Sequence, residues 1–272
     1  MDGKSGEIIY SRMENRKREV ASLTKMMNLL CVCKLIKEFE IDPKETHIRV
    51  SKNAASMKGT SAFLKTGDLL SIWDLLHGLM LPSGNDAAMA LAENFGTFLY
   101  LRSDEYKAKC IRESNSKSAD AKNPAKYFIR LMNETANELG MYFTQYANPH
   151  GLANSNNYSC ASDQAKLSHH ILKLDIVREI VNKKSYSCEI EQVDGRLRVV
   201  TWENTNKLLH REGWGGVKTG ITTAAGPCLS AYYEKEGESY IVILLNSFSM
   251  EIRWIEAPKI VEWARKNKAY LK

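Results

Sequence analysis

Ala21-Ser22-Leu23-Thr24-Lys25-Met26-Met27 opens an apolar run that reaches about Phe39. Between Met26 and Phe39 only Asn28, Lys34, Lys37 and Glu38 are clearly polar, which predicts a helix buried on most sides. Ser22 and Lys25 stand three apart, so on a helix they share a face, one turn from each other. The start of a helix leaves backbone N–H groups free, and its dipole favours negative charge there. A serine needs a base to become a nucleophile, and a lysine serves if its ammonium form is made unfavourable. Taken alone, Ser-x-x-Lys also describes an ordinary N-cap followed by a solvated lysine.

Two further stretches change that reading. Leu81-Pro82-Ser83-Gly84-Asn85-Asp86 lies between two apolar segments, and Gly216-Val217-Lys218-Thr219-Gly220-Ile221-Thr222 lies between two strand-like runs. The set Ser-x-x-Lys, Ser-x-Asn and Lys-Thr-Gly marks penicillin-binding proteins and class A β-lactamases. With Ser-Gly-Asn in the middle, the chain resembles the serine D-alanyl-D-alanine carboxypeptidases, the low-molecular-weight penicillin-binding proteins. The resemblance implies an α/β fold of the β-lactamase/DD-peptidase kind, an antiparallel sheet flanked by helices. It also implies a single catalytic domain over residues 1–272, with a helical subregion at roughly 42–180 carrying the Ser-Gly-Asn loop.

Other segments extend the likeness. Glu7-Ile8-Ile9-Tyr10, after Ser5-Gly6, reads as a strand similar to the family's Thr-Gly-x-x-Leu-Tyr hairpin. Family members usually carry another strand and a helix before this point, so the sheet is expected to lack an edge element whose backbone something must cover. Thr46 to Val50 alternates like a short strand, and Leu69 to Met80 and Ala87 to Tyr100 read as helices. A second Lys-Thr-Gly, Lys65-Thr66-Gly67, matches the family's Leu-Lys-x-Gly-Asp turn and is assigned a structural role. Residues 102–124 lack periodicity and read as an inserted surface loop.

Phe128 to Leu139 is an amphipathic helix closed by Gly140. Asn148-Pro149-His150-Gly151-Leu152 and Tyr158-Ser159-Cys160-Ala161-Ser162-Asp163 are similar to family segments, and the resemblance makes His150 a loop residue rather than a triad member. Ser185 to Val200 predicts a hairpin turning at Asp194-Gly195. Leu229–Tyr233 and Tyr240–Leu245 predict strands, the first starting only at Cys228 because Pro227 cannot donate to a ladder. A final helix is expected from about Arg253 to Lys268. Relatives with a second all-β domain and an amphipathic anchor continue further, so neither feature is expected here.

Composition is ordinary for a globular protein, with 44% apolar and 26% charged residues. The net charge of +6 comes from scattered basic residues, and the one dense cluster, Arg12 to Arg18, lacks aromatic interleaving, so no nucleic-acid partner is expected. The six cysteines show no metal-pair spacing and read as reduced, packed thiols. No metal or other cofactor is expected. No apolar run is long enough to span a membrane, and Met1 to Gly6 contains no signal core. The family acts outside the cytoplasm, so the compartment stays open.

The resemblance assigns acyl transfer through a serine ester, with Ser22, Lys25, Ser83, Asn85 and Lys218 as catalytic residues. Lys25 must lose a proton that a free lysine holds to about pH 10.4, and lowering that by roughly three units takes about 4 kcal/mol. Burial and the second cation, Lys218, both act in that direction. Ser83 relays a proton to the leaving amine, while Asn85 grips a substrate amide and steadies Lys25. Lys218, with the Thr219 and Thr222 hydroxyls, holds a terminal carboxylate, and the oxyanion lies between the N–H groups of Ser22 and Ile221. Gly220 completes the substrate-binding strand. The implied partners are peptides ending in D-Ala-D-Ala and β-lactams as covalent inhibitors. A class A β-lactamase would need a glutamate-positioned water, and no Glu-x-x-Leu-Asn stands between Ser83 and Lys218. A binding protein that keeps the cleft without turnover is the rival from another class.

Overall fold

The computed structural model describes residues 1–107 and 123–267 of the 272. At its centre is α1 (Thr24–Glu38), of whose 15 residues 12 are buried. Such burial explains the nearly unbroken apolar run, and the polar Lys34, Lys37 and Glu38 share the face that reaches solvent near its C-terminal end. It packs against α3 (Ile72–Met80), α4 (Asn85–Arg102), α5 (Ala125–Glu138) and α6 (Ala161–Ile171). Ser22 itself lies just outside α1, on a single 3₁₀ turn, Ala21–Leu23.

The strands form two antiparallel sheets. One has the order β1 (His47–Arg49), β2 (Leu69–Ser71), β3 (Ser185–Glu191) and β4 (Leu197–Glu203). The other is a meander of β5 (Trp214–Gly220), β6 (Cys228–Lys235) and β7 (Glu238–Leu244). β6 begins at Cys228, directly after Pro227, as the missing N–H of proline requires. Leu69–Ser71, read above as the start of a helix, is a strand, and Ser71 caps α3 by accepting the Asp74 N–H at 3.0 Å. The helices α2 (Lys52–Ala55) and α7 (Asp175–Val181) carry too few turns for a periodic signal.

Glu7–Tyr10 is not a strand. The Asp2 side chain accepts the N–H groups of Lys4 and Ser5, and beyond this turn Ile9 packs against the core of the β5–β7 sheet instead of pairing with a strand. The edge of β7 is covered instead by the first three residues. Ile241 N donates to Met1 O at 2.9 Å and Gly3 N donates to Ser239 O at 2.8 Å. Lys65-Thr66-Gly67 is a surface turn, with Gly67 N bonded to Val50 O at 2.8 Å. The loop expected at 102–124 lies largely outside the described residues, as does Cys110. The other five cysteines are buried free thiols.

α8 (Ile252–Asn267) closes the second sheet, burying Trp254, Ala257, Val261 and Ala264 on a core with Leu229, Ala231 and Val242. Its first turn sends Arg253 inward beneath β5. No helix among the described residues is long and apolar enough to cross a membrane.

Candidate active site

Three elements converge at the N-terminal end of α1. The 3₁₀ turn supplies Ser22, the loop entering α4 supplies Ser83, α4 itself supplies Asn85 as its first residue, and β5 supplies Lys218. Lys25 is fully buried, and its Nζ lies 2.9 Å from Ser22 Oγ, 2.7 Å from Asn85 Oδ1 and 2.7 Å from the His150 carbonyl oxygen. Burial lowers its pKa well below the usual lysine value; the Lys218 charge adds to this and Asp86 opposes it. Lys218, 1% exposed, is itself brought down to about 7, first by burial and then by the Arg253 guanidinium. The second cation of the site therefore titrates near neutrality.

β5 reaches Ser22 because Gly220 has no side chain. A Cβ there would sit 2.9 Å from Ser22 N and 3.1 Å from Val20 O. A register shift between Gly216 and Lys218 breaks the strand's alternation, leaving both Val217 and Lys218 buried. On the other flank, Gly151 sits at φ +87°, and a Cβ there would be 2.0 Å from Ala21 O. That contact brings the 148–152 loop, and with it the His150 carbonyl, against the Ser22 turn. Asn28, one turn further along α1, donates to both Ala88 O and Pro149 O at 3.1 Å and so ties α4 and this loop to the same helix.

The His150 ring is engaged within its own loop. Its Nδ1 accepts Leu152 N–H at 3.1 Å, and burial followed by the Lys25 charge lowers its pKa to about 3. Ser83 is 3% exposed, and its Oγ has no hydrogen-bond partner among the described residues. Its backbone is left-handed at φ +65°, and Ala21, preceding Ser22, lies at φ +49°. Non-glycine residues at such angles cost on the order of 1–3 kcal/mol and cluster at functional sites.

Asn85 Oδ1 accepts from Lys25, as expected, and its Nδ2 donates one of its two N–H groups to Lys58 O at 2.7 Å. Thr219 shares a hydroxyl–hydroxyl bond of 2.7 Å with Thr205. Thr222 accepts Ala225 N–H at 3.0 Å, which leaves its own hydroxyl proton available. Ile221 is 49% exposed at the end of β5. Sequence reading missed Arg253, which is 3% exposed and donates to Gly220 O at 3.3 Å and Cys228 O at 2.8 Å. Nothing in one arginine at the head of a helix distinguishes it from a solvated one.

The model of the D-alanyl-D-alanine carboxypeptidase family matches residues 1–97 and 121–249. The chain belongs to that family. A D-alanyl-D-alanine carboxypeptidase of Streptomyces sp. (strain K15) is 31% identical over 266 residues, covering 97% of this chain and 84% of that protein. The carboxypeptidase DacF of Bacillus subtilis (strain 168) is 29% identical over 262 residues, 96% of this chain. The chain spans 59% of the length of DacF and 62% of that of DacD of Escherichia coli (strain K12). The crystal structure of the Streptomyces K15 DD-transpeptidase superposes with a TM-score of 0.84 at 29% identity, covering 98% of this chain and 95% of that one. The expected α/β arrangement of helices about antiparallel sheets is thus the family's own.

Proposed function

We propose that this chain is a serine peptidase that removes the terminal D-alanine from peptides ending in D-Ala-D-Ala, through an acyl-enzyme on Ser22, and that penicillins acylate the same hydroxyl. One observation carries the reading: a fully buried lysine amine whose three neighbours are two carbonyl oxygens and a serine hydroxyl. A neutral amine has two N–H donors and one lone pair. Asn85 Oδ1 and His150 O take the two donors, which leaves the lone pair for the Ser22 proton.

In this mechanism Lys25 accepts the proton as Ser22 Oγ attacks the penultimate carbonyl carbon. The resulting oxyanion is held by the N–H groups of Ser22 and Ile221, donors that typically contribute about 3–4 kcal/mol each. Collapse of the adduct breaks the peptide bond, and the leaving amine takes up a proton through the Ser83 hydroxyl. Water then attacks the ester, returning a proton to the site and releasing the shortened peptide. Lys218, Thr219 and Thr222 line the end of β5 where the substrate carboxylate would lie, and Arg253 adds fixed positive charge behind Lys218. Asn85 orients Lys25 through its Oδ1, and the second N–H of its amide stays available to a substrate carbonyl.

The test is incubation with a labelled penicillin, then with a D-Ala-D-Ala peptide. The reading expects a covalent adduct on Ser22 that Ser22→Ala abolishes, followed by release of D-alanine. Folded protein that forms no adduct would leave only the binding reading. Adding a competing amine during peptide turnover separates transfer to water from transfer to an amine.

A further inference from the structure

The segment 58–64 runs beside the start of α4 and makes most of its hydrogen bonds with residues 83–86. Asn85 Nδ2 donates to Lys58 O at 2.7 Å, and Asn85 N donates to Thr60 O at 2.8 Å. Thr60 Oγ1 donates to the carbonyl of Ser83 at 2.6 Å. Asp86, 1% exposed, accepts from Ser61 Oγ at 2.6 Å, Ala62 N at 2.9 Å, Leu64 N at 3.1 Å and its neighbour Ala87 N at 2.8 Å. Trp202 Nε1 holds the strap from β4 through Ala62 O at 2.9 Å.

The strap decides two features that the chemistry needs. A backbone carbonyl only accepts, so Lys58 O must face the NH₂ of Asn85, and the amide oxygen is thereby turned to Lys25. The left-handed Ser83 is unfavourable by itself, and the Thr60 hydroxyl anchors its carbonyl in that conformation. We propose that segment 58–64, clamped by the buried Asp86 carboxylate, is the positioning element that aims Asn85 at Lys25 and holds Ser83 in place, with Asp86 and Thr60 as its positioning residues. Neither touches the reacting atoms. The proposal rests on the acyl-transfer reading above.

Asp86→Asn removes one acceptor from a carboxylate that serves four donors, and it removes the negative charge that raises the proton affinity of Lys25. Labelled-penicillin kinetics on wild type, Asp86→Asn, Thr60→Val and Thr60→Ser, each checked for native melting, read the outcome. Acylation is expected to slow by about 100-fold in Asp86→Asn, with the non-covalent dissociation constant little changed. Its acid limb is expected to move to lower pH, which a purely structural role would not produce. Thr60→Val is expected to slow acylation about tenfold, and Thr60→Ser, which keeps the hydroxyl, to restore it. Folded Asp86→Asn and Thr60→Val proteins that acylate at the wild-type rate would overturn the proposal while leaving the acyl-transfer reading intact. Losses that follow melting temperature alone, with an unmoved pH profile, would also overturn it. Failure of wild type to form any adduct would bring down the parent reading and this one together.

Discussion

Asn85 Oδ1 lies 2.7 Å from Lys25 Nζ, inside a region from which both side chains are closed to solvent. A neutral amide can accept from this amine without fixing its charge. Asn85→Asp would set a carboxylate at the same place, favouring the ammonium form. Acylation by penicillin should fall by at least about 100-fold at neutral pH, and its acid limb should move to higher pH. Rates measured across pH check both.

Lys218 has a folded pKa of about 7 against an ordinary 10.5. Between these values the unfolded chain holds a proton that the folded one does not, so stability rises with pH through this window. Below about pH 7 the full cost of burying the charge is present. Lys218→Met should therefore be more stable than wild type at neutral and lower pH, by a few kcal/mol at most, with the difference shrinking toward pH 10. Urea midpoints across pH measure it, and activity should be lost in the same protein.

Gly220→Ala would place a methyl 2.9 Å from Ser22 N, against backbone that cannot swing aside. Either β5 or the nucleophile turn must shift. The expected result is a roughly 100-fold slower acylation in a protein that still melts cooperatively. A wild-type rate in that variant would show that the two segments are less tightly apposed.

His77 is fully buried with its Nδ1 2.8 Å from Trp73 O and its ring stacked on Tyr186 at 3.7 Å. Burial lowers its pKa to about 4. A base with a lowered folded pKa is protonated first in the unfolded chain, so stability is lost as pH falls from about 6.5 to about 4. His77→Phe should flatten part of that decline, seen in denaturant midpoints between pH 4 and 6.5. The remaining slope would include His150, with its pKa of about 3.

Much of this architecture was readable because it depends on local patterns. The run after Lys25 is apolar on most sides because α1 has neighbours on most sides. Pro227 marks the start of β6, and Asp194-Gly195 marks the β3–β4 turn, because backbone chemistry at those residues permits little else. Glu7–Tyr10 misled for the opposite reason. A short apolar run forms a strand only if an edge is available, and Met1–Gly3 already holds that part of β7. Leu69–Ser71 misled because two turns of helix and a short buried strand share the same apolar signature.

The three motifs and their order, read from the chain alone, named Ser22, Lys25, Ser83, Asn85 and Lys218 and the family to which they belong. Residue types within a few positions of one another carry that information, because spacing on a turn or strand sets which side chains can meet. Folding decided which charges face each other across long separations. Arg253 comes to lie behind Lys218, the His150 carbonyl lands on Lys25, and the 58–64 strap turns the Asn85 amide. Those contacts join residues 35, 125 and 27 positions apart, and no local periodicity records them. Proton affinities follow from burial and from such neighbours, so the chemistry of the two lysines belongs to the assembled molecule.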